Sequence, residues 1–158
     1  MSAVAAVTPA ALSVHASAVL IGEAAVLLRG ASGAGKSALA LALIADARRQ
    51  SRFARLVADD RVLLTPSGGR LIVAPHAAIA GHVERRFVGI GAIAHEARAV
   101  ARLVVDLVPI ETPGIARLPE PAACWTMLAG VRLRRLSLPE SCSGAVEAIL
   151  HTLSDSAA

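Results

Sequence analysis

Gly30-Ala31-Ser32-Gly33-Ala34-Gly35-Lys36-Ser37 satisfies the phosphate-binding pattern G-x-x-x-x-G-K-[ST] at every fixed position. Glycines let the backbone wrap close to a phosphate, so that the N–H groups of the loop converge on its oxygens. Lys36 supplies a point charge to the β- and γ-phosphates, and the Ser37 hydroxyl suits Mg²⁺ ligation. So short a pattern depends on its flanks. Upstream, Ala24-Ala25-Val26-Leu27-Leu28-Arg29 is an apolar run of the length of a buried strand. Downstream, Leu39, Ala40, Leu43, Ile44 and Ala47 recur at helical spacing, with Asp46, Arg48, Arg49 and Gln50 outside that stripe. Strand, glycine loop and helix in this order put the helix N-terminus against the phosphates. The chain is therefore read as binding a nucleotide phosphate through residues 30–37.

The 158 residues suit one domain with a sizeable core, and 55% hydrophobic with 18% charged residues describes a globular chain. Phe53, Phe87 and Trp125 are its only aromatics, so the core must be built from Leu, Val, Ile and Ala. The formal charge of +4 comes with no dense basic run and few rings to stack bases, so no nucleic-acid partner is indicated. That charge also suits a protein handling ATP and an acidic protein partner. Cys124 and Cys142 are too few and too far apart for a disulfide framework or a zinc site. No apolar run reaches the ~18 residues of a membrane span. The first twelve residues lack the basic start of a signal peptide, and a cytoplasmic location is expected.

Residues 1–12 read as a tail and 13–158 as a single α/β domain. A first strand over Ser13–Ile21 turns at Gly22-Glu23 into the strand feeding the loop. Phe53 to Ala58 leads a short strand, Leu56-Val57-Ala58, into Asp59 and Asp60, at the sheet end where α/β folds place ligand groups. After a P-loop, such an aspartate holds Mg²⁺ or orients its waters. Val62–Thr65 and Arg70–Ala74 flank a glycine turn and form a hairpin. Val83 to Ala94 mixes charge and glycine and reads as either a site wall or a surface loop. Arg102–Val108 is a strand, Pro109 to Pro121 an extended connector, Leu133–Leu138 the last strand, and Gly144–Leu153 a C-terminal helix. His76, His82 and His95 have no metal-ligand spacing.

Together, a histidine ahead of the P-loop (His15), the strand Leu56-Val57-Ala58-Asp59-Asp60 and the segment Glu84-x-Arg86-x-x-Gly89 resemble the catalytic domain of bacterial HPr kinase/phosphorylase. The resemblance covers roughly residues 13–110 and is weaker beyond. It implies a strand-rich, mixed-sheet P-loop kinase domain, in a short form without an N-terminal domain. Three departures stand out. Ala38 replaces the acidic residue after the P-loop serine, Phe87 replaces the first glycine of the Glu-x-Arg-Gly-x-Gly signature, and Ser141-Cys142-Ser143 stands where a Pro-Gly-Arg segment is expected.

The resemblance implies an ATP- and Mg²⁺-dependent serine kinase acting on an HPr-type phosphocarrier protein, in a hexamer. Lys36 and the loop amides would hold the phosphates. Ser37 and Glu84 would ligate Mg²⁺, with Asp59 beside them, directly or through water. Asp60 would take the proton of the attacking serine and His15 would position it. With the Pro-Gly-Arg segment gone, the reverse phosphorylase reaction is expected to be weak or lost, unless Arg134 or Arg135 substitutes. Arg132, Arg134 and Arg135 carry two readings: one of them stabilises the transferring phosphoryl, or all three line an exposed strand face. A small-molecule kinase and a nucleotide-sensing regulator without turnover remain the alternatives.

Overall fold

A computed structural model describes residues 10–113, 115 and 118–156. The elements run β1 (Leu12–Ile21), β2 (Ala24–Arg29), α1 (Lys36–Arg49), β3 (Ala54–Ala58), β4 (Arg61–Ser67) and β5 (Arg70–Pro75). They continue with β6 (His82–Arg85), β7 (Gly89–Ala92), β8 (Ala99–Val108), β9 (Trp125–Leu128), β10 (Val131–Pro139) and α2 (Ala145–Asp155). This is the strand-rich, mixed α/β architecture expected of an HPr kinase catalytic domain.

Strand β1 pairs antiparallel with β2 along one edge. Along the other it pairs with β4 over its first half and with β3 over its second. Strand β4 leads to β5 and β5 to β8, all antiparallel. Because β8 also lies parallel to β2, the strands β2-β1-β4-β5-β8 close into a ring. Outside it, β8 carries the parallel strand β10, which in turn carries the antiparallel edge strand β9.

Alternation along the strands sorts two cores. Val19, Ile21, Val26, Leu28, Leu103 and Val105 face one, covered by Ala40, Leu43, Ile44 and Ala47 of α1 and by Ile149, Leu150 and Leu153 of α2. Ala16, Ala18, Ala25, Leu27, Ala101 and Val104 face the other, with Val62, Leu64, Leu71 and Val73. Such a ring is filled by its own side chains, and a small one accepts small residues, which accounts for the alanines on its strands. Buried on both faces, β2 reads in sequence as an unbroken apolar run.

Most expected elements are present with shifted ends. Strand β1 starts at Leu12, the Leu56–Ala58 strand extends back to Ala54, and the 102–108 strand begins at Ala99. The tail reading falls mainly on residues 1–9, outside the described residues, as do Gly114, Ala116 and Arg117 of the proline-rich connector. Two features were not anticipated. The stretch 83–94 contains the hairpin β6–β7, whose pattern is obscured because Val83 alone on it is buried. The edge strand β9, Trp-Thr-Met-Leu, is apolar but only four residues long and half-exposed, too short to show a strand period.

At the last pair of the β2–β8 ladder, Asp106 ties three parallel strands together. It accepts hydrogen bonds from Arg29 at 2.7 and 2.9 Å and from Arg135 at 2.6 Å. Burial pushes the carboxyl pKa up, but the hydrogen bonds and charges of both guanidiniums outweigh it and hold it below its ordinary value. Asp106→Asn is expected to cost about 2 kcal/mol, less than a fully buried pair because the arginine side chains keep 30% and 35% of their surface. Since the folded carboxyl is the more acidic, its stabilisation is present above the unfolded pKa of about 3.9 and is lost as pH falls below it. Urea unfolding of both proteins against pH checks this. A stability difference that does not shrink in acid would rule the ion pairs out as its source.

Candidate active site

The loop between β2 and α1 is shaped by close approach. A Cβ on Gly30 would sit 2.9 Å from the backbone oxygen of Leu107, so no side chain fits there. Gly35, at φ 96°, turns the chain into α1. The helix begins with no side-chain cap and no acidic residue in its first turn. Its N–H groups and the positive end of its dipole are thus left for an external anion. Lys36 is buried, and its Nζ donates to the carbonyls of Gly30 at 2.8 Å and Ala31 at 2.9 Å. Burial lowers the Lys36 pKa, and the carboxylates of Asp60, Asp59 and Glu140 oppose that shift.

Asp59, at the end of β3, is buried and gathers the hydroxyls around the loop. Its Oδ1 accepts from Ser37 Oγ at 2.8 Å and from Ser17 Oγ at 2.7 Å. The Glu84 N–H approaches its Oδ2 at 3.4 Å. Asp60 has a different setting. It is exposed, and its Oδ1 lies 3.1 Å from His15 Nε2. It forms the corner between β3 and β4, which both pair with β1. There Arg61 N–H donates to the Asp59 carbonyl at 2.8 Å, and Asp60 takes φ 66°. A hydrogen bond spanning a residue of positive φ is the strained form of the γ-turn. Strain of this kind persists where surrounding structure enforces it, here the two strand pairings with β1.

These groups surround one cavity of about 670 Å³, lined by the loop from Ser32 to Ser37 and by His15, Ser17, Asp60, Glu84, Arg85, Arg86 and Ser141. His15, Lys36, Ser37, Asp60 and Glu84 are therefore brought together, with Asp59 behind them. The oxygen donors of Ser37, Asp59 and Glu84 are of the kind Mg²⁺ accepts alongside water and phosphate oxygens, so the donor set fits that ion. His76 and His82 bond instead to Ser13 and to the Ala80 carbonyl.

The three C-terminal arginines are engaged elsewhere. Arg135 is held by Asp106, Arg134 donates to the Thr152 carbonyl and Ser156 Oγ, and Arg132 lies over the Trp125 ring at 4.3 Å. Besides Lys36, Arg85 and Arg86 are the lysine or arginine side chains that line the cavity among the described residues. A Cβ on Gly33 would lie 3.9 Å from an Arg86 guanidinium nitrogen, so Arg86 stands against the P-loop. Ser17 and Ser141 were also missed as site residues. Ser17 shares a face of β1 with His15, two residues away, and that period was the available signal. Phe87, at the hairpin tip, takes φ 67° and is fully exposed. A non-glycine residue there costs about 1–2 kcal/mol, which explains a glycine at this point of the signature.

The family model described as the HPr Serine kinase C-terminal domain matches residues 7–152. The chain belongs to that family. Among solved structures, the Hpr(Ser) kinase/phosphatase from Coxiella burnetii is similar with a TM-score of 0.68 at 22% identity. The match covers 91% of this chain and 95% of that one, a likeness of fold. No curated protein matches the chain significantly. The family match extends through α1, the Asp59–Asp60 corner and the β6–β7 hairpin, and so includes every group lining the cavity.

Proposed function

We infer that the protein is an ATP- and Mg²⁺-dependent serine kinase phosphorylating an HPr-type phosphocarrier protein. The observation that carries this reading is the His15–Asp60 pair, which stands at the same cavity as the P-loop N–H groups and the Ser37–Asp59 contact. Phosphoryl transfer asks mainly for positioning, charge neutralisation and one placed base. Lys36 and the loop N–H groups hold the phosphates and offset their charge. Ser37 and Glu84 hold the metal, and Asp59 fixes the Ser37 hydroxyl. Asp60 accepts the proton of the incoming serine hydroxyl, and His15 orients the Asp60 carboxylate. Mg²⁺ would supply charge neutralisation at the phosphate oxygens. Arg86 adds a cation beside Gly33.

This reading places the protein in the cytoplasm with its phosphocarrier, assembled as a hexamer like the family it resembles. No helix among the described residues is long and apolar enough to cross a membrane. The reverse reaction is expected to be weak or lost, because Arg134 and Arg135 are both held away from the cavity.

Labelled ATP and Mg²⁺, incubated with the protein and a purified HPr-type carrier, should transfer phosphate to a carrier serine. Serine-phosphorylated carrier with inorganic phosphate should release pyrophosphate at least about tenfold more slowly, a barrier difference of about 1.4 kcal/mol. Transfer to a small acceptor instead, or nucleotide binding without transfer, would replace the protein-kinase reading. Comparable rates in both directions would point to Arg86 as the cation of phosphorolysis.

A further inference from the structure

Four serines line the cavity at the P-loop: Ser17, Ser32, Ser37 and Ser141. Two of them are engaged, since Ser17 and Ser37 both donate to Asp59 Oδ1. Ser32 belongs to the phosphate loop itself. Ser141 arrives from elsewhere in the fold, on the turn between β10 and α2. It is exposed, and among the described residues its hydroxyl makes no hydrogen bond. The reaction inferred above gives it no role.

The backbone distinguishes Ser141 a second time. The Cys142 N–H donates to the Pro139 carbonyl at 3.2 Å, which closes a four-residue turn with Ser141 as its third residue, at φ 58°. Positive φ at that place ordinarily selects glycine or asparagine. Strain of this kind clusters at functional sites, where neighbouring structure enforces it. Here the turn is tied to the base of the P-loop. The Glu140 N–H donates to the Val108 carbonyl at 2.7 Å, one residue beyond the Leu107 that Gly30 approaches. The Glu140 carboxylate is also near enough to Lys36 to oppose the downward pull of burial on the lysine pKa. A free hydroxyl is therefore held in the wall of the cavity that contains the phosphate loop and Asp60.

We propose that Ser141 is an internal phosphoacceptor, phosphorylated by the active site of its own chain. The proposal rests on the kinase reading above. Ser141 Oγ bonds to the γ-phosphorus of Mg-ATP as the bond from that phosphorus to the β–γ bridging oxygen breaks. ADP leaves, and the hydroxyl proton passes to the Asp60 carboxylate. The phosphoserine formed is a dianion in a cavity that Lys36, Arg85 and Arg86 also line, and such cations favour it there. An incoming carrier serine needs the same phosphoryl group, so carrier and Ser141 compete.

The protein incubated with labelled Mg-ATP and no carrier should label itself, with the phosphate located on Ser141 by fragmentation mass spectrometry. Adding carrier should reduce that label. Asp60→Asn should label itself about 10²-fold more slowly, the scale of losing a general base. Ser141→Gly, which the positive φ suits, should remain unlabelled. When Ser141→Gly is mixed with affinity-tagged Asp60→Asn, the tagged chain should gain no label beyond its own slow rate. Labelling of the tagged chain at the wild-type rate would overturn the proposal, because donor and acceptor would then be different copies. Phosphate on another serine in place of Ser141 would overturn it as well. Transfer to the carrier in the same preparation tests the kinase reading separately. A labelled carrier with unlabelled Ser141 overturns this proposal alone, and no label on either overturns both. Labelled Ser141 with an unlabelled carrier upholds the internal acceptor and removes the carrier as substrate.

Discussion

Lys36→Ala is expected to lower Mg-ATP affinity by about two orders of magnitude and to abolish measurable turnover. A charge-assisted hydrogen bond contributes about 1.5–3 kcal/mol, and Lys36 is placed to make more than one to bound phosphate. In this structure its Nζ already spans the loop, bonded to the Gly30 and Ala31 carbonyls, so the cation is held at the nest before a nucleotide arrives. Removing it takes away the charge and also the clamp on the loop backbone. Turnover should fall further than binding, because negative charge on the transferred group is offset most where it shifts in the transition state. Calorimetric titration with Mg-ATP and a phosphotransfer assay read the two effects. Unchanged affinity and turnover would overturn the assignment of this loop as the phosphate cradle.

The P-loop was legible in sequence because every part of it is local. The apolar run Ala24–Leu28, the glycines and the helical stripe from Leu39 to Ala47 lie within one stretch, and the fold adds only the approach of Leu107 to Gly30. Asp59 and Asp60 were legible as a pair at a strand end. The difference between them was not, since it depends on which neighbours arrive from elsewhere. Ser17, which bonds Asp59, looks like any serine in a strand until β3 is laid beside β1. His15 and Glu84 were identified through the family resemblance, and no spacing in the chain singles them out.

Long-range closure was the least visible feature. The ring depends on β2 pairing with β8, Leu28 beside Val105, and nothing local encodes that contact. Once the ring is known, the alanines of β1, β2 and β8 make sense as interior filling. The same holds for Arg135. It reads as one of three equivalent arginines along β10, and only the position of Asp106 in the neighbouring strand separates it from Arg134.

Asp60→Asn is expected to leave Mg-ATP affinity nearly unchanged while cutting phosphotransfer about 10²-fold or more, the scale of general-base help. The two aspartates differ in what their oxygens already do. Asp59 is buried and accepts two hydroxyl hydrogen bonds on one oxygen, with the Glu84 N–H near the other, so little acceptor capacity remains for a substrate proton. Asp60 is 70% exposed on its side chain and faces the cavity with His15 as its polar partner. Asparagine tolerates positive φ as aspartate does, so the corner at φ 66° should survive the change. Its amide oxygen can still meet His15. What it loses is the negative charge that draws a proton from the serine hydroxyl. Asp59→Asn should behave in the opposite way, weakening Mg-ATP binding through the Ser37 hydroxyl it holds. Affinity by calorimetry and single-turnover transfer to the carrier separate the two variants. If Asp59→Asn proves the more damaging to transfer while its ATP affinity is intact, the base is Asp59 and Asp60 serves only to hold His15.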